Sequence, residues 1–163
     1  MAEVDARIAR ALRASGQPFE IMDCDPALAD TDTFWAHYGH SLEHSANTII
    51  VKTKTGEERF AACLLLATTR LDVNHTVRRR LAARKVSFAS AEETRAITGM
   101  ALGGVTPLAL PAELPLWVDA RIMALDYVIL GGGDRCSKIK VAPKIFRSLP
   151  NTDVVDGLAR PAV

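Results

Sequence analysis

No stretch of this 163-residue chain carries an apolar run long enough to cross a membrane as a helix. Such a run needs roughly 18–20 residues, and the richest one here, residues 60–67, falls far short. The N-terminus alternates charge with alanine and lacks a continuous apolar block, which argues against a secretory signal. Cysteine is scarce: Cys24, Cys63 and Cys136 are odd in number, widely spaced and contain no CxxC. A disulfide framework and a cysteine-zinc site are therefore not expected, and a reducing cytoplasm is the simple reading. An excess of one charge is missing too, since 20 Lys and Arg face 19 Asp and Glu. Nucleic acid is then not held by overall charge, although a local patch is allowed. No internal repeat, low-complexity block or long Pro/Gly/Ser linker appears, so the chain reads as one domain.

What is present includes such a patch. Arg70, Arg78, Arg79, Arg80, Arg84 and Lys85 crowd one short window against a single acid, Asp72. Arg78, Arg79 and Lys85 are candidate phosphate contacts, and the same window also reads as a solvated helix face.

Hydrophobic spacing gives a coarse element order. Ile8 and Leu12, four apart, mark one face of an N-terminal helix. Residues 19–22 alternate as a short strand, and a helical stretch is expected over 33–38, ended by Gly39. The β-branched segment 47–52 and the returning segment 59–67, joined by a polar turn at 54–57, predict a hairpin. Residues 71–84 read as a helix with Val77 and Leu81 inward. A short strand at 86–89 follows, then Ser90-Ala91-Glu92-Glu93 forms a capping box opening a helix that stops at Gly99. Beyond lie a loop at 103–107, strands at 116–119, 127–130, 139–141 and 153–155, and a helical turn at 144–149. Helices and strands mix without regular βαβ alternation, so the expected class is α+β with a mixed sheet.

Two glycine-rich segments carry candidate chemistry. In Gly103-Gly104-Val105-Thr106-Pro107 the glycines let backbone amides approach a substrate, Thr106 offers a hydroxyl and Pro107 fixes the far end. The bland alternative is an ordinary turn. Gly131-Gly132-Gly133-Asp134-Arg135-Cys136-Ser137-Lys138 superficially suggests a phosphate loop. It lacks the glycine before the lysine and the Ser/Thr after it, so a nucleotidase is rejected. Arg135, Ser137 and Lys138 remain able to bind a phosphate or ribose, or to flank a plain turn. His37, His40 and His44 could share a helical face, but Gly39 interrupts them and no HExxH accompanies them, so no metal site is expected. Cys63, Trp117 and Phe60 sit in strand patterns and read as core; Asp119 reads as a turn acceptor. Cys24 and Cys136 fall in loops, with no histidine base placed beside them.

The succession of these signals resembles one family. It runs from the strand closed by Cys24-Asp25-Pro26 through Asn47-Thr48 and the basic segment ending 83–89. Thr98-Gly99, the GxxxP loop at 103–107, Val118-Asp119 and the glycine turn with Ser137-Lys138-Ile139 complete it. From about residue 17 to 159 this order is similar to that of the YbaK/prolyl-tRNA synthetase-associated editing domains.

The resemblance implies a mixed β-sheet closed partly into a barrel, with flanking helices. It also implies a pocket for the aminoacylated 3′ end of tRNA, and hydrolysis in trans of the ester of mischarged tRNA by a positioned water, without metal, cofactor or covalent nucleophile. Asn47, Gly103 and Gly104 would stand nearest the chemistry, with Thr48, Thr106 and Pro107 around the aminoacyl group. Gly131, Gly132, Gly133, Arg135, Ser137 and Lys138 would hold the 3′ end, while Arg78, Arg79 and Lys85 touch acceptor phosphates. The expected partners are tRNA and a synthetase, not a membrane. One departure stands out: active members begin the 47–52 strand with lysine, where this chain has Asn47 after Ala46. Asparagine supplies neutral donors and an acceptor in place of a fixed charge. Lys52, Lys85 and Lys138 are candidates for the displaced cation. Lys52 lies on the opposite strand face from Asn47, which favours Lys138. The rival expectation is a module that binds tRNA or an amino-acid-like ligand without hydrolysing it.

Overall fold

The computed structural model describes residues 5–25, 27 and 42–162. In chain order these form helix α1 (Ala6–Ser15) and strands β1 (Phe19–Asp23), β2 (Ala46–Thr53), β3 (Phe60–Leu66), β4 (Thr69–Leu71) and β5 (Val86–Phe88). Helix α2 (Ala91–Thr98) follows, then β6 (Leu116–Asp119), β7 (Val128–Gly131), β8 (Ser137–Val141), β9 (Thr152–Val155) and β10 (Ala159–Pro161). The helix expected over 33–38 lies outside the described residues.

β2 and β3 form the expected antiparallel hairpin, in register from Ala46 opposite Leu66 to Lys52 opposite Phe60. β5 pairs antiparallel with the free side of β2, while β6 and then β9 add in parallel beyond β3, giving the order β5-β2-β3-β6-β9. β3 is buried almost throughout, which explains its unbroken apolar run: both faces are covered. One face, with Leu64, Val118 and Ile50, meets α1 and the antiparallel sheet β1-β8-β7 through Ile8, Leu12, Leu130 and Ile139, joined by Phe146 of the 143–148 turn. The other, with Cys63, Leu65 and Trp117, packs under Val77, Leu81 and Leu158. The pair β4-β10 forms a third, separate ladder. The class is mixed α+β, as expected, but among the described residues these sheets do not close into a barrel. Their junction is one parallel bridge, Ser45 with Ile129. Among the described residues no helix is long and apolar enough to cross a membrane.

The capping box is present as read: Ser90 and Glu93 exchange side-chain and backbone hydrogen bonds, and Gly99 ends α2 in the left-handed region. The helix expected over 71–84 is broken. Leu71 belongs to β4, a wide π-turn covers Val73–Val77, and only Arg78–Arg80 is α-helical. Two contacts cause this. The Asp72 amide donates to Leu158 carbonyl at 2.9 Å, and the Val77 amide reaches back five residues to Asp72 carbonyl at 3.1 Å. Ala82, at φ 51°, then turns the chain away. Val77 and Leu81 are nevertheless buried, as their spacing predicts.

Candidate functional site

The two glycine-rich segments lie against each other. Gly133's amide donates to Gly104 carbonyl at 2.7 Å. A Cβ on Gly131 would stand 2.7 Å from Val105 carbonyl oxygen, and one on Gly104 would overlap the Asp134 backbone. A Cβ on Gly103, itself at φ 88°, would run into the Arg135 guanidinium, and one on Gly132 into the Ser137 hydroxyl. At Gly103, Gly104 and Gly131 the face left open by the missing side chain is therefore filled by the opposite loop, and at Gly132 by its own segment. Gly104's own amide is engaged by Ala101 carbonyl at 3.0 Å, and Gly132's by Ser137 carbonyl at 3.2 Å. Gly104 thus does not offer the amide donor expected of it; Gly103 and Gly104 seat one loop on the other. Asp134 holds the turn, accepting at Oδ1 from Cys136 amide (2.8 Å) and Ser137 hydroxyl (3.1 Å). Aspartate is a common turn residue because its side chain accepts from backbone amides one or two positions on.

The sheet junction lines up a second group. In β7 and β8, Gly131 faces Lys138, and across the next strand Lys138 faces Met22. Ser45 bridges Ile129 in parallel, so two residues further on Asn47 and Gly131 share a face. Asn47, Gly131, Lys138 and Met22 consequently form one row across the strands, about 4.8 Å apart from strand to strand. Asn47 is exposed and Thr48 half-buried, while Lys138 is 93% buried, being only 7% exposed. Ser137 and Ile139 point to the opposite, inner face, where both are buried.

Thr106 follows Val105 on the interlocked loop and is wholly buried. Its hydroxyl has no hydrogen-bond partner among the described residues. Pro107 beside it is buried at the start of a 3-10 turn. An unpaired buried hydroxyl is unfavourable.

The remaining candidates lie outside this row. Lys52 forms an ion pair with Glu93, which raises its affinity for a proton, and lies 5.5 Å over the Phe60 ring. Arg80 pairs with Asp153 at 2.8 Å and stacks 4.9 Å over Trp117. Arg78, Arg79, Arg84 and Lys85 are exposed. Trp117 and Cys63 are core, and burial pushes the Cys63 thiol up to about 12. Phe60 is half-buried on the opposite sheet face, against the cluster of Leu64 and Leu116. Asp119 accepts from the Arg121 amide, as a turn acceptor does, at 3.5 Å. Burial nonetheless drives its carboxyl above the usual range, and Oδ2 has no partner among the described residues. His37 and His40 lie outside the described residues; His44 stacks on Tyr127 with ring centres 4.1 Å apart. Sequence reasoning missed one network altogether. Asp72 gathers His75 (3.1 Å), Thr76 (3.0 Å) and Arg160 (3.2 Å), the last from nearly ninety residues away.

The model of the aminoacyl-tRNA editing domain matches residues 25–149, and the chain belongs to that family. Its fold is similar to that of the hypothetical protein APE2540, with a TM-score of 0.82 and 23% identity, covering 94% of this chain and 99% of that one. It is also similar to a candidate trans-editing enzyme for prolyl-tRNA synthetase, with a TM-score of 0.76 and 21% identity over 94% and 98% of the two chains. These identities speak for the fold alone.

Proposed function

We propose that this chain is a free-standing aminoacyl-tRNA deacylase that hydrolyses the ester of mischarged tRNA. The observation that carries the reading is the row Asn47, Gly131, Lys138 beside two interlocked glycine loops, in a member of the editing-domain family. Lys138 supplies the cation that family members place at the position of Asn47. Water attacks the ester carbonyl, and the developing oxyanion is met by the Lys138 ammonium and the Asn47 carboxamide. Collapse of that intermediate expels the ribose oxygen and frees the amino acid. None of these residues is a carboxylate or imidazole, so the attacking water gives its proton to a group of the substrate, from which the departing ribose oxygen takes it up as a hydroxyl.

Around this centre, Thr48, Thr106 and Pro107 line the aminoacyl group, and Gly103 and Gly104 hold their loop in place. Gly131, Gly132, Gly133, Arg135 and Ser137 shape the seat of the 3′ end, while Arg78, Arg79 and Lys85 meet acceptor-stem phosphates. Action in trans accords with the likeness to a candidate trans-editing enzyme, and the cytoplasm is where charged tRNA is met.

A panel of mischarged tRNAs offered to the wild type and to Asn47→Lys tests the reading. Turnover by the wild type, reduced in Asn47→Lys, supports a deacylase whose charge has moved to Lys138. A wild type that binds charged tRNA without turnover, and gains it with Asn47→Lys, would instead establish a recognition module that has lost its chemistry.

A further inference from the structure

Cys24 and Cys136 form the cross-strand pair that closes the β1–β8 ladder. The register that sets Asp23 opposite Ser137 continues one step, with Cys24 amide donating to Cys136 carbonyl at 2.9 Å. Antiparallel partners in a hydrogen-bonded position hold their Cα atoms about 5.5 Å apart, with both side chains on one face. That spacing falls at the favoured value for a disulfide. Both cysteines are free thiols in this structure. They differ in access: Cys136 is exposed, whereas Cys24 is buried and its thiol donates to Asp25 carbonyl at 3.5 Å. Burial pushes the Cys24 thiol above its ordinary value, with the charges of Lys138 and Arg135 opposing that rise, so the exposed Cys136 is the thiol that meets an oxidant first.

We propose that Cys24 and Cys136 are a reversible redox site that peroxide closes into a disulfide. The exposed Cys136 sulfur attacks the O–O bond of hydrogen peroxide, becoming a sulfenic acid as one oxygen leaves as water. The Cys24 sulfur then attacks the Cys136 sulfur. An S–S bond forms, and the sulfenic hydroxyl departs with the Cys24 proton as a second water. Two thiols are thereby oxidised by two electrons and one peroxide is reduced to two waters. A small dithiol reverses the reaction. Even-numbered residues of β8 share a face, so the new bond stands next to Lys138 and Met22. On the deacylase reading, oxidation would therefore modify the edge of the reacting row; the site itself does not depend on that reading.

Treating the full chain with hydrogen peroxide, alkylating the remaining thiols and digesting with trypsin without reduction reads the bond directly. The expected product joins peptide 14–52 to peptide 136–138, two hydrogens lighter than their sum, and disappears with dithiothreitol. Cys24→Ser should leave Cys136 to run on to sulfinic acid, while Cys63→Ser should leave the link intact. Cys136 recovered as sulfinic acid or as free thiol in the wild type, with Cys24 still alkylatable, would overturn the proposal. So would a Cys136 fate unchanged by Cys24→Ser. Deacylation is measured separately, and an inactive enzyme that still forms the link leaves the redox site standing.

Discussion

At Thr106 the proposed role in the aminoacyl pocket would pull against stability. The hydroxyl is buried without a partner among the described residues, which costs about 1–3 kcal/mol relative to a satisfied or absent group. Thr106→Val keeps the shape and removes the unpaired oxygen. The variant should melt higher than the wild type, by roughly 1 kcal/mol in urea denaturation, and hydrolyse mischarged tRNA more slowly. Loss of stability together with unchanged turnover would show that the hydroxyl serves the fold and not the ligand. Asp119 makes a second separable case. Burial, with Asp156 adding to it, raises its carboxyl against the opposing pull of the Arg121 amide and charge. Between the ordinary value of 3.8 and the raised one, the folded chain holds a proton that the unfolded chain has released. Stability contributed by this group therefore falls as pH rises through that window and is flat above it. Asp119→Asn should be more stable than the wild type at neutral pH, with the gain shrinking as pH is lowered toward 3.8. A thermal melt series across pH checks this.

At the scale of elements, the interlocked loops govern how glycine variants must be read. A Cβ at Gly104 meets backbone atoms of Asp134, which cannot swing aside as a side-chain end can. Gly104→Ala should destabilise the chain by about 1–3 kcal/mol through overpacking. Gly56, with open space around its Cα, lacks that contact and shows only the cost of its left-handed backbone. Chemical denaturation of both variants separates the two effects. A loss of activity in Gly104→Ala would thus report a displaced loop, and it carries less weight than a loss in a variant that melts normally.

The sequence made the local devices legible. β-branched residues flanking a polar turn produce the β2–β3 hairpin, and Ser90 with Glu93 produces the cap of α2. Each is settled within a few neighbouring residues. The basic segment was read as one helix because its apolar spacing is helical. Its π-turn is imposed by Leu158, which only the folded chain brings to Asp72. β4 and β10 escaped for the same reason, since Arg70 finds its partner in Arg160. In the candidate site, both glycine segments could be recognised as loops, but nothing in their spacing tells that each fills the other's open face. Cys24 and Cys136 likewise look unrelated until strand pairing sets them opposite each other.

Across the whole molecule, the junction of the two larger sheets decides where chemistry can sit. A single bridge at Ser45 and Ile129 turns the start of β2 alongside β7 and brings Asn47 onto the face of Lys138. Family membership supports a role in aminoacyl-tRNA editing, and on the deacylase proposal the junction is what would set the Lys138 cation on the face of Asn47, where the resemblance implies a lysine. The basic turn packs through Val77 and Leu81 on the face of the five-stranded sheet that carries Trp117, apart from that junction, and on the proposed reading this is the surface that would meet phosphates. The account rests on Lys138, and its most direct test is the rate at which Lys138→Met hydrolyses the mischarged tRNA that the wild type prefers. Loss of a charge stabilising the transition state predicts a fall of roughly 10²–10³-fold in turnover, in a variant whose melting shows the fold intact. A folded Lys138→Met that hydrolyses the ester at the wild-type rate would contradict it.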